Sequence, residues 1–163
     1  LDRRVIAIII SGALLAVVVA VVLISRAGED GDSGPDEVST DLTAKPEPAI
    51  PEGEPPTELV TEDVVEGEGA ELKDGDTAEV DYVGVLYDGG TEFDSSWEGE
   101  PIEFELGAGS VIPGWEEGLV GMREGGRRQL IIPSDLAYGP SGQPPTIPPD
   151  AALVFVVDLL SIS

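Results

Sequence analysis

The sequence predicts an α+β domain in which short antiparallel strands wrap one short helix, preceded by one N-terminal transmembrane helix. Three observations predict it. Residues 56–163 contain five stretches of alternating apolar and polar residues, and between them one segment with helix start and stop signals. Ahead of them stand a long apolar run in 1–26 and an acidic stretch in 27–55 that is poor in apolar residues.

The apolar run extends from Val5 to Ile24, relieved only by Ser11 and Gly12, with Asp2, Arg3 and Arg4 before it and Ser25 and Arg26 after it. A helix of about 20 residues spans about 30 Å, the hydrocarbon thickness of a bilayer. Residues 1–26 therefore read as a membrane anchor, or as a secretory signal if the small residues around Ser25-Arg26-Ala27 are cleaved. Arg3 and Arg4 on one side, against a strongly acidic stretch on the other, put the N-terminus in the cytoplasm and export the rest. The localisation expected is a single-pass protein of the cell membrane, or a secreted one after cleavage.

Residues 27–55 are rich in Gly, Pro, Asp, Glu, Ser and Thr and hold no aromatic residue. Such a composition buries too little surface to offset the entropy of ordering, so it reads as a disordered, self-repelling linker. Asp30-Gly31-Asp32-Ser33-Gly34-Pro35 opens like a calcium loop. It fails where the sixth position needs Gly and has Pro35, and where the twelfth needs Glu and has Asp41.

Thr57–Val65 is the first strand. Thr77–Tyr87 alternates clearly, with Ala78, Val80, Tyr82, Gly84 and Leu86 on one face and Glu79, Asp81, Val83 and Val85 on the other. Asp88-Gly89-Gly90 turns the chain. Pro101–Leu106 places Ile102, Phe104 and Leu106 together, Arg127–Ile132 does so with Arg128, Leu130 and Ile132, and Ala152–Leu160 sets Leu153, Phe155, Val157 and Leu159 against Val154, Val156 and Asp158. Pro113–Gly121 is the helix, with proline in its first turn, Glu116 and Glu117 near the positive dipole end and Gly121 as its stop.

The composition narrows the chemistry. Among 163 residues there is no Cys and no His, so thiol nucleophiles, disulfides, imidazole bases and metal sites built on those ligands are excluded. A formal charge of −25, from 33 acidic against 8 basic residues, repels phosphate backbones, so nucleic acid is not a partner.

Val80-Asp81-Tyr82-Val83-Gly84, Phe93-Asp94-Ser95-Ser96, Val111-Ile112-Pro113-Gly114-Trp115-Glu116-Glu117-Gly118-Leu119, Ala137-Tyr138-Gly139, Ile147-Pro148-Pro149 and Leu153-Val154-Phe155 follow one another in a telling order. In order and spacing they resemble the FKBP-type peptidyl-prolyl cis-trans isomerases over residues 56–163. The resemblance implies a half-open antiparallel sheet wrapped around one short helix.

It also implies a reaction. An Xaa-Pro bond turns over a barrier of about 18–20 kcal/mol through a twisted amide that has lost its resonance. No bond breaks, so an apolar pocket with a few hydrogen bonds suffices, without general base, metal or cofactor. By resemblance Trp115 is the floor under the proline ring, Tyr82, Phe93, Phe155, Val111 and Ile112 are walls, and Asp94 and Tyr138 are polar contacts. The Ile112 N–H receives a substrate carbonyl, and Phe104 serves core and wall together. Ile102 stands where the family often has Phe, and Gln143 where it often has His, both at the rim. Gly139–Pro149, with five prolines and Ile147, resembles a flap over the mouth.

The partners implied are proline-containing polypeptides, the membrane through the N-terminal helix and, by resemblance, macrolide immunosuppressant-type ligands. The function read is prolyl isomerisation in proteins folding outside the cytoplasm. The alternative is a binding module or tethered holdase that grips proline segments in the same groove without turning them over.

Overall fold

The computed structural model describes residues 37–163. The anchor expected at 1–26 and the first part of the acidic stretch lie outside the described residues, and among the described residues no helix is long and apolar enough to cross a membrane.

Six strands form one antiparallel sheet: β1 (Val60–Val65), β2 (Thr77–Leu86), β3 (Glu92–Ser95), β4 (Ile102–Glu105), β5 (Arg127–Ile132) and β6 (Leu153–Ile162). The order is β1-β5-β6-β2-β3, and β4 also pairs with β2. One edge of β2 is thus shared, with Thr77–Val80 paired to β4 and Val83–Val85 to β3. Between these two pairings the edge is completed by Ser96. Its Oγ accepts from the Tyr82 N–H at 2.9 Å, and its own N–H donates to the Tyr82 carbonyl at 3.1 Å. The Ser96 hydroxyl proton goes to Asp81 Oδ1 at 2.8 Å. This junction fixes Tyr82 where the sheet opens.

The alternation of β2 separates two cores. Ala78, Val80, Tyr82 and Leu86 join Phe104, Trp115, Leu130, Leu153, Phe155 and Val157 on the inner face. Val83, Val85 and Tyr87 join Ile131 and Val154 on the outer one. The helix α1 (Pro113–Gly118) lies on the inner face, its glycines turned to β5; a Cβ on Gly118 would stand 2.9 Å from Leu130 Cδ2. It stops three residues before the expected Gly121. The Leu119 N–H caps onto the Trp115 carbonyl, and the Gly121 N–H is taken by the Leu72 carbonyl at 2.8 Å, which turns the chain away. Arg128 secures this end. Its Nη1 donates to the Gly118 and Val120 carbonyls at 2.9 and 3.2 Å, while Nε and Nη2 grip Asp63 on β1. A cation at a helix C-terminus is favoured by the helix dipole as well as by these bonds.

The strand readings shift at their ends. β1 starts at Val60 and not Thr57, β6 runs on to Ile162 and not Leu160, and β3 is a strand that the pattern does not announce, because Phe93 is its one apolar residue.

The acidic stretch departs further from expectation. Residues 39–54 lie across the outer face of the sheet as a strap. Arg127, fully buried, spends all five of its N–H donors between β6 and the strap. Two go to the carboxylate of Asp158, its cross-strand neighbour, at 2.6 and 2.7 Å. The others go to the carbonyls of Ser39, Asp41 and Ala44 at 2.6, 3.1 and 3.2 Å. Farther along, the Ala49 N–H donates to Gln129 Oε1 at 2.8 Å, Ile50 packs on the outer core, and the Tyr87 hydroxyl donates to the Pro51 carbonyl at 3.0 Å. Composition failed to show this because the strap is held by its peptide carbonyls, which every sequence carries.

Candidate active site

A cleft of about 340 Å³ opens between the inner face of the sheet and the start of α1. Tyr82 from β2, Phe93 and Asp94 from β3, Ile102 from β4, Val111 and Ile112 before α1, Trp115 on α1, Tyr138 from the segment between β5 and β6, and Phe155 of β6 line it, together with Ser110. The rings brace one another edge to face. Tyr82 and Trp115 centroids are 5.2 Å apart at 83°, Trp115 and Phe155 5.3 Å at 85°, and Phe93 and Phe155 5.5 Å at 89°. Such pairs are worth about 0.5–1.5 kcal/mol beyond the area they bury, so the walls are held before any ligand arrives. Phe104 packs behind Trp115 at 5.6 Å.

Gly84 makes this possible. A Cβ there would meet Phe155 Cε1 at 2.7 Å and Phe93 Cζ at 2.8 Å, so the two rings cross directly over bare backbone. A glycine inside a strand commonly marks such a close approach, and here the approach is that of two cleft walls.

The polar groups sit at the rim. The Tyr82 hydroxyl donates to Asp94 Oδ2 at 2.6 Å, and Asp94 Oδ1 accepts from the Ser95 N–H at 2.9 Å. Burial, reinforced by Asp94, pushes the Tyr82 phenol well above its usual range. Burial first and the Asp94 charge second raise Tyr138 as well. Both phenols therefore keep their protons at any pH where the protein works, and both remain donors. The Ile112 carbonyl accepts from the Trp115 and Glu116 N–H groups, while its own N–H donates to no acceptor among the described residues. Glu116 clasps the loop just before, accepting from the Gly107 N–H and, at 2.8 Å, from the Gly109 N–H.

Two residues expected at the site lie elsewhere. Gln143 and Ile147 bond to each other through both backbone pairs, at 2.8 and 2.9 Å, so the flap is closed by its own backbone, and neither residue is in the cleft lining. The Ile147 side chain is buried in the inner core and anchors the flap, and Gln143 stays exposed. Ser110 carries no pattern that would have singled it out. Ser96 has the motif Phe93-Asp94-Ser95-Ser96 around it, and its work as the plug of the split edge appears only in three dimensions.

Fold and cleft define a class. An apolar ring can enter between sheet and helix onto an indole floor, with phenol donors, a carboxylate and a free backbone N–H at the rim, as rotation of a prolyl peptide bond requires. The comparisons make the class particular. Residues 68–160 match the family described as FKBP-type peptidyl-prolyl cis-trans isomerase. The FK506-binding protein of Streptomyces anulatus is 50% identical over 120 residues, 72% of this chain and 97% of that protein. A probable FK506-binding protein of Corynebacterium glutamicum is 48% identical over 118 residues, 72% of this chain and 98% of that protein. Among solved structures, AtFKBP13 superposes with a TM-score of 0.61 at 36% identity, covering 67% of this chain and 96% of that one. The chain belongs to the FKBP-type peptidyl-prolyl cis-trans isomerase family, and it is an enzyme, a rotamase.

Proposed function

We propose that this chain is a membrane-anchored prolyl isomerase acting on polypeptides that fold outside the cytoplasm, and that the aromatic cleft is where it acts. The observation that carries the site is the braced cleft itself. A planar amide is charge-separated and hydrated, and moving it among Trp115, Phe155, Tyr82 and Phe93 strips that hydration. The twisted amide loses less there, so the barrier falls. The Ile112 N–H takes the carbonyl of the rotating segment, and Tyr138 holds a neighbouring one. Asp94, fixed by Tyr82, faces the amide as it turns. FK506-type ligands fit the same apolar seat, as the names of the relatives suggest.

The extracytoplasmic setting is supported by the apolar run Val5–Ile24 and by Arg3 and Arg4 ahead of it. The absence of cysteine permits a direct test. With Glu66→Cys as the sole thiol, a membrane-impermeant maleimide added to intact cells should label the chain in the membrane fraction. Labelling only after lysis would overturn the orientation.

The chain has no imidazole or thiol, both phenols of the cleft are held protonated, and the rotation proposed here needs no proton transfer. For a blocked Xaa-Pro peptide, kcat/KM should stay flat from roughly pH 6 to pH 9. A bell or an inflection in that range, in folded protein, would require an acid or base in the mechanism. Tyr82 makes stability depend on pH higher up. The unfolded Tyr82 loses its proton near about pH 10, whereas the folded one keeps it, so the folded state binds more protons and stability falls as pH rises above about 10.

A further inference from the structure

The strap creates a second cavity, larger than the catalytic cleft. It encloses about 500 Å³ at the end of the sheet where β2 leaves and β6 begins. Its walls are apolar and stiff: Ile50 and Pro51 from the strap, Pro55 just after it, Leu86 from β2, and Pro148 and Pro149 from the end of the flap. Prolines fix their own backbone angles, and the Tyr87 hydroxyl ties the strap wall down through the Pro51 carbonyl, so the cavity is formed in advance. Three exposed carboxylates, Glu54, Asp88 and Asp150, join the lining, and among the described residues no lysine or arginine takes part in it.

An apolar cavity ringed by anions suits one kind of side chain, an aliphatic stem that ends in a cation. Its position says what carries that side chain. Leu86 lies four residues along β2 from Tyr82, and Ala152, just before β6, three residues from Phe155, so the two cavities are separated by about 10–13 Å, the reach of about four extended residues. The flap runs from one to the other: it starts beside Tyr138 of the cleft and ends at Pro148 and Pro149 of the cavity, its ends tied by the Asp150 N–H donating to the Gly139 carbonyl at 3.0 Å.

We infer that this cavity is a second binding site for client polypeptide, one that takes lysine- or arginine-bearing apolar segments lying near the proline being isomerised. The inference rests on the reading of the chain as an enzyme of polypeptide clients and adds a class of client to it, namely basic, apolar stretches.

The test uses the full chain, labelled at isoleucine δ1 methyls and held in nanodiscs of phosphatidylcholine. Ile50 reports on the second cavity, while Ile102 and Ile112 report on the cleft. The probe is a blocked, proline-free tetrapeptide alternating valine and lysine, and its control has glutamate for lysine. The lysine peptide should shift Ile50 saturably while leaving Ile102 and Ile112 in place, and the glutamate peptide should shift none of them. Reversing the rim with Glu54→Lys and Asp88→Lys should raise the midpoint about fivefold or more. Reversing Glu66 and Glu68, which changes net charge equally away from the cavity, should have a smaller effect. A motionless Ile50, equal shifts with both peptides, or equal losses in the two charge-reversed chains would each overturn the site. Isomerisation of a short blocked Xaa-Pro peptide, run on the same samples, should be unchanged in both variants. Its loss in the unaltered chain would count against the isomerase reading and not against the cavity.

Discussion

Arg127→Met should destabilise the protein by about 3–5 kcal/mol in urea or thermal unfolding, more than any surface substitution could. The reason lies in what the change leaves behind. The side chains of Arg127 and Asp158 are 0% and 5% exposed, and each oxygen of Asp158 is matched to a guanidinium N–H. Taking away the cation strands a buried carboxylate, and it also removes the only side-chain donors that the carbonyls of Ser39, Asp41 and Ala44 have among the described residues. Adding Asp158→Leu to the same chain separates the two losses. A buried ion pair replaced by apolar residues of similar size is often neutral or better, so the double variant should recover most of the stability. The strap should still be released, and amide exchange across residues 39–54 should quicken in both variants while β2 and β6 stay protected in the double one. If Arg127→Met unfolded no more easily than the native chain, the guanidinium would be solvated in solution and the strap loosely held.

This arrangement also shows where reading the sequence stopped. β2 was legible on both faces because each face buries its own set, Val80 and Tyr82 inward and Val83 and Val85 outward, and period-two alternation encodes that directly. The aromatic residues of the cleft were legible through their motifs, since the rings themselves form the walls. What escaped was whatever works through backbone or through a partner distant in sequence. The strap supplies carbonyls that its composition does not advertise, and Arg127 is separated from those carbonyls by more than eighty residues. β3 is short enough that Phe93 cannot alternate with anything. Gln143 and Ile147 were placed by the motif around them, yet the flap satisfies its own backbone groups, which turns Ile147 into the core and Gln143 into solvent.

Trp115 should dominate catalysis, and its substitutions should divide by what they do to the floor. Trp115→Ala removes a side chain only 4% exposed that touches Tyr82, Phe104 and Phe155, and the cavity left should cost about 3–5 kcal/mol of stability. A rate measured on that variant therefore mixes folding with function. Trp115→Leu and Trp115→Phe are the sharper probes. The indole Nε1 is buried with no hydrogen-bond partner among the described residues, so replacing Trp by Phe trades lost contact area against relief of an unsatisfied donor, and stability should change little. Leucine keeps the floor apolar but withdraws on the order of 60–100 Å² of ring, about 1.5–2.5 kcal/mol of contact at 25 cal/mol per Å². Where that contact is made to the twisted amide and not to the planar one, kcat/KM should fall by about ten- to seventyfold, with kcat taking most of the loss. Trp115→Phe should lose severalfold less. The measurement is isomerisation of a blocked Xaa-Pro peptide by variants shown to unfold in a single transition near the native midpoint. A folded Trp115→Leu that turned over the peptide at the native rate would mean that the prolyl ring does not sit on the indole, and the braced aromatic cleft would lose its place as the site of rotation.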